Sequence, residues 1–204
     1  MRRYMFTFAV AVMLLVSTTT VRAISNGVID TELEYRNVGV MAVEYAPGLY
    51  FHPCTGSLIA PQVFLVAANC VVLVQQLGLS AGQVFVTFDL NFFTASTLVQ
   101  ASEYHFDPAF GRDLGDLHDL GVIILSQPVT KWDGEPLEPV QLPTAGLLDQ
   151  MAELGGLRGE SFINVGYGWD PSFKGAPRVS VASMGIAGSP PPRSKDLLWR
   201  GSGC

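Results

Sequence analysis

Short apolar runs bounded by turn-forming residues alternate along the chain from Val38 onward. Val38–Tyr45, Thr55–Ile59, Val63–Ala68, Val84–Phe88, Leu98–Tyr104, Leu120–Leu125 and Phe162–Gly166 have strand length and are rich in Val, Ile, Phe and Leu. Such residues suit a pleated, half-buried surface. Between them lie Ala46-Pro47-Gly48, Ala60-Pro61, Ser80–Gly82, Asp107-Pro108, Gly111–Asp116 and Gly134–Pro139, which interrupt regular structure. Many short strands at this spacing predict an all-β barrel or sandwich. Leu147–Leu157 has helical spacing in places, but Gly155-Gly156 cuts it, and a short turn-rich excursion is expected there. There is no internal repeat. Ser189–Cys204 carries three prolines and the basic Arg193, Lys195 and Arg200, without a strand pattern.

The first 23 residues follow a different rule. Arg2 and Arg3 precede an apolar run from Phe6 to Val16 that only Thr7 interrupts, and Val21-Arg22-Ala23 offers small or apolar residues at the −3 and −1 positions of a cleavage site. That is the build of a secretory signal peptide. A membrane span needs about 20 apolar residues, and this run stops at the polar Ser17–Thr20. Cleavage after Ala23 is expected, leaving Ile24 as the mature N-terminus of a secreted protein, extracellular or periplasmic.

Composition narrows the classes. Of 204 residues, 49% are hydrophobic and 15% charged, which argues for a packed core rather than disorder. The net charge is −6, and removal of Arg2, Arg3 and Arg22 with the leader makes it −9. An acidic surface repels phosphate backbones, so nucleic acid is not an expected partner. Three cysteines in an exported chain allow one disulfide and leave one thiol over. No His-Glu-x-x-His motif or clustered Cys/His spacing points to a metal, and no cofactor is expected. The acidic stretch Asp107–Asp116 is read as a solvated turn in preference to a calcium loop.

The segment Cys54-Thr-Gly-Ser-Leu-Ile-Ala-Pro-Gln-Val-Phe-Leu-Val-Ala-Ala-Asn-Cys70 resembles the block around the catalytic histidine of trypsin-like serine proteases. That family has Cys-Gly-Gly-Ser-Leu-Ile, a turn, an apolar strand and Thr-Ala-Ala-His-Cys. The resemblance implies a Cys54–Cys70 disulfide, with Cys204 the odd cysteine. It also places the triad base at position 69, where this chain has Asn69. A second block, Gly115-Asp-Leu-His-Asp119-Leu-Gly-Val-Ile-Ile-Leu125, resembles the family's Asp-Ile-Ala-Leu-Leu-Lys-Leu strand and implies Asp119 as the triad acid. Ile24-Ser-Asn-Gly27 is similar to the family's mature start, and Val165-Gly-Tyr-Gly168 to its Gly-Trp-Gly strand.

The implied fold is a chymotrypsin-like double Greek-key β-barrel within a peptidase domain of residues 24–204. The first barrel would occupy about 24–140, and an incomplete second barrel about 141–204. The family's nucleophile motif, Gly-Asp-Ser-Gly-Gly, occurs nowhere in the chain. The closing Gly201-Ser-Gly-Cys204 is similar to the residues just upstream of it, so the chain is expected to stop short of the nucleophile serine. The family's chemistry is endopeptidase cleavage of a protein or peptide through an acyl-enzyme. There the serine needs an imidazole to take its proton and an aspartate to fix that imidazole's tautomer. An asparagine amide is not basic.

His118 adjoins Asp119, but neighbours on an extended chain point to opposite sides. His52 and His105 are read as solvated histidines near turns. The expectation is a family member inactive as encoded, either the product of a disrupted gene or an incomplete copy of an active enzyme. The alternative is a pseudoprotease that binds peptide or protein.

Overall fold

The structure, a computed structural model, describes residues 27–111, 116, 118–154, 161–168 and 175–184. In chain order the elements are β1 (Val28–Ile29), β2 (Val38–Ala46), β3 (Leu49–Ala60), β4 (Val63–Val66), helix α1 (Ala68–Gln76) and β5 (Val84–Thr87). After these come β6 (Val99–Phe106), β7 (Gly121–Leu125), β8 (Lys131–Trp132), β9 (Glu135–Pro136), helix α2 (Leu147–Glu153), β10 (Ser161–Tyr167) and β11 (Arg178–Met184).

Six strands close into an antiparallel barrel in the order β2-β3-β4-β7-β6-β5. β2–β4 and β5–β7 are each consecutive neighbours, while β4 and β5 are separated and joined through α1, as in a Greek key. Closure leaves no unpaired edge on this sheet. The period-two alternation of strand side chains sorts residues between inside and outside. On β7, Gly121, Ile123 and Leu125 are buried while Val122 and Ile124 are half-buried. On β2 both faces are covered. Met41 and Val43 join the barrel core with Leu58, Phe64, Val66, Val86 and Ile123, whereas Val40 and Ala42 pack outward with Phe92 and Ala176. Each large aliphatic or aromatic side chain buried this way contributes about 1.5–3 kcal/mol.

Two facing glycines let aromatic rings lie flat on the barrel wall. Gly39 and Gly56 are paired across β2 and β3. A Cβ on Gly39 would meet the Phe88 ring at 2.9 Å, and one on Gly56 would collide with Phe64 and the Leu65 carbonyl. The Phe64 and Phe88 rings pack edge to face with centroids 5.8 Å apart.

The fold is therefore mostly β with a closed six-stranded barrel, as expected. β3 begins at Leu49, well before the expected Thr55, and runs straight through Pro53. α1 takes over from the end of the Val63–Ala68 run, and Leu147–Glu153 is a two-turn helix rather than a loop. A second sheet has the order β1-β11-β10 among the described residues. Val28 and Ile29 pair with Ser180 and Val179 of β11, so this N-terminal stretch joins the second sheet and not the first barrel. The expected leader 1–23, Ile24 and Cys204 lie outside the described residues.

Candidate active site

The chain leaves the barrel wall at Val66, passes through the extended Ala67 (φ −73°, ψ 149°), and turns into α1 at Ala68. Ala68, Cys70, Val71, Val72 and Val74 are buried beneath the helix. Cys70 is bonded to Cys54 on β3, with their Cα atoms 6.2 Å apart. The expected disulfide is thus present, and it ties the first turn of α1 to the barrel. Asn69, one residue earlier, is exposed.

Asp119 arrives at the same place from the neighbouring strand, since Gly121 at the start of β7 pairs with Val66 at the end of β4. It stands two residues before β7, and its Oδ1 accepts the backbone N–H of Asn69 at 2.9 Å. The approach depends on Gly121, where a Cβ would meet Val71 Cγ2 at 2.9 Å and the carbonyls of Ala67 and His105 at 3.2 Å. Position 69 and Asp119 are therefore juxtaposed although 50 residues separate them. The Asn69 side chain turns to its neighbour, with Oδ1 lying 3.2 Å from Cys70 Sγ. A disulfide sulfur has no proton to give, so this is a packing contact. Nothing at position 69 can take a proton at neutral pH, because the amide is not basic.

The three histidines are engaged elsewhere. His118 Nδ1 lies 3.0 Å from Asp107 Oδ2, while its backbone N–H donates to Asp116 Oδ1. The Ala109 N–H, followed by the His118 side chain, holds Asp107 below the usual carboxylate range. The backbone N–H groups of His118 and Gly111 do the same for Asp116. His105 Nε2 is 2.8 Å from Glu103 Oε2. It projects from β6, not from a turn. His52 also differs from expectation. It lies on β3, half-buried, with its ring 4.6 Å from Phe92 and 5.6 Å from Phe93, and burial pushes its pKa down.

Among the described residues no three His, Cys, Asp or Glu side chains gather as a cation site. Sequence reasoning missed Asp107 and Asp116 as the groups that shape the approach to Asp119. Their Asx-type bonds to backbone N–H groups two residues on were a usable signal. Residues 115 and 117, within the block that suggested Asp119, lie outside the described residues, as do 112–114 just before it.

No curated protein matches the chain. The family model for trypsin, however, matches residues 31–156, more than half of its length, and that stretch holds the whole barrel, the Cys54–Cys70 bridge and Asp119. With family model and barrel topology in agreement, this chain belongs to the trypsin family.

Proposed function

We propose that this trypsin-family protein is an exported member that does not hydrolyse peptides, with Asn69 in the position of the triad base and Asp119 in that of the triad acid. One observation carries the reading. The backbone of residue 69 sits on the Asp119 carboxylate, where an orienting acid would serve an imidazole, yet the side chain there is an amide. Without a base a serine hydroxyl is a poor nucleophile. The loss of one triad member costs on the order of 10⁴–10⁶ in rate in well-studied proteases. The sequence also contains no Gly-Asp-Ser-Gly-Gly motif to provide a hydroxyl with its oxyanion donors.

The test is a panel of chromogenic esters and amides with basic, aromatic and small P1 groups, together with labelling by a serine-directed fluorophosphonate. The chain stays at the blank rate, and Asn69→His stays there too. Turnover or labelling that disappears in Asp119→Ala would overturn the reading. A second reading, a peptide- or protein-binding module, draws support from Tyr45 and Leu49, which stand exposed on either side of the β2–β3 turn.

Export rests on residues 1–23 and agrees with the Cys54–Cys70 disulfide, a bond of oxidising compartments. None of the described helices is long and apolar enough to cross a membrane. In this reading cleavage after Ala23 makes Ile24 the first residue of a peptidase-like domain. N-terminal sequencing of the chain from the culture medium or periplasm returns Ile24. An intact Met1 would contradict export by this leader.

A further inference from the structure

Asp30 and Arg178 are 148 residues apart in the chain, and their side chains are only 2% and 1% exposed. Arg178 Nε donates to Asp30 Oδ2 at 2.8 Å. Its Nη1 reaches three further acceptors: the Val38 carbonyl at 3.1 Å, the Phe88 carbonyl at 3.1 Å and Tyr167 Oη at 3.2 Å. Asp30 in turn accepts the backbone N–H groups of Glu34 at 2.8 Å and Tyr35 at 3.1 Å. Backbone bonds run alongside, from Asp30 N to Arg178 O and from Arg178 N to Leu90 O.

The location gives this cluster its meaning. The ladder between β2 and β5 ends at the pair Val40 and Thr87. Val38 and Phe88 lie just past that end, where two strand carbonyls face each other without a ladder bond, and a buried carbonyl requires a partner. The guanidinium spans both. It comes from β11 of the second sheet, while its counter-ion comes from the stretch that follows β1. One buried cation therefore joins three pieces of chain at the barrel rim: the N-terminal stretch, the ends of β2 and β5, and the β10–β11 pair.

Among the described residues the apolar cluster at the seam between barrel and second sheet is small, with Val40, Ala42, Phe92 and Ala176 buried in it, and Val179 of β11 buried besides. Among the described residues the barrel core includes none from β1, β10 or β11. A buried ion pair adds little net stability over a well-packed apolar replacement, but removing one partner leaves an uncompensated buried charge. Such a pair acts on which arrangement forms more than on how strongly the core holds.

We propose that Asp30–Arg178 is a docking latch: it fixes residues 27–37 and the β10–β11 pair on the barrel rim, and loss of either charge releases them together while β2–β7 stay folded. The pieces then form separate cooperative units, the kind that open independently in native-state exchange.

Amide hydrogen exchange on the full chain tests this, comparing the unaltered protein with Arg178→Met and Asp30→Asn. Protection of the Glu34 and Tyr35 amides and of residues 162–168 and 176–179 falls by about tenfold or more, while that of β2–β7 changes by less than about twofold. Arg178→Lys keeps the charge but not the planar fork, and gives the same pattern with a smaller loss. Unchanged protection in the two released pieces would overturn the latch. So would an equal loss throughout the barrel, or failure of all three variants to fold, because each would make the pair part of a single cooperative unit.

Discussion

Asp119 serves a helix it does not belong to. α1 starts behind Ala67, whose methyl group cannot accept a hydrogen bond, and no side chain of its own caps it. Four N–H groups at a helix start lack intrahelical partners, and Asp119 Oδ1 satisfies one of them at Asn69. A carboxylate there also meets the positive end of the helix dipole. Asp119→Ala is therefore expected to cost about 1 kcal/mol of stability, whereas Asp119→Asn, which keeps an acceptor, costs less. Urea denaturation of the three proteins measures this, and equal stability of all three would show that the contact contributes nothing. The place of Asp119 ahead of an apolar strand was legible in sequence because the Leu120–Leu125 run marks that strand. The capping contact was not, because it joins residues 50 positions apart and no local pattern encodes it.

At the level of elements, most of the barrel could be read from alternation and turn residues. All seven expected apolar runs lie in or overlap strands, and Pro47-Gly48 forms the β2–β3 turn with Gly48 at φ +72°. α1 was missed for a physical reason. Its Cys-Val-Val-Leu-Val core is rich in β-branched residues, which favour strands. Tertiary context overrides that preference: Val71 and Val74 lie one turn apart against the barrel, the disulfide holds Cys70, and Asp119 supports the first turn. The β8–β9 hairpin was missed although its signal was present. Asp133 (φ +52°) and Gly134 (φ +83°) form the left-handed pair that tight hairpins favour. Two-residue strands on either side are too short to show alternation. β11 escaped because its run opens with Arg178, a charge that belongs in a strand only once the buried Asp30 is placed beside it.

On the scale of the whole molecule, the second sheet meets the barrel through polar groups gathered on Tyr167. Its backbone N–H donates to Thr55 Oγ1 at 2.8 Å, and its hydroxyl donates to the Asp89 carbonyl at 2.6 Å while accepting from Arg178. Asp89 Oδ1 also accepts the Trp132 indole N–H at 2.6 Å, which anchors the same corner to the barrel core. Burial pushes the Tyr167 phenol up to about 12, with Arg178 opposing the shift. The consequence for stability has a definite sign. Above about pH 10 the unfolded chain gives up this proton, whereas the folded chain keeps it until about pH 12. The contribution from holding Tyr167 neutral is complete below pH 10 and is lost as pH rises from there to 12, a total of about 2–3 kcal/mol. Tyr167→Phe leaves the Asp89 carbonyl without this donor and so lowers stability at neutral pH, but it also removes that part of the alkaline decline. Urea titrations between pH 8 and 12 should therefore give curves for the two proteins that converge as pH rises. Parallel curves, or a Tyr167 phenolate absorbance appearing at the pH of a free tyrosine, would mean that the corner is wet and the second sheet does not seal against the barrel.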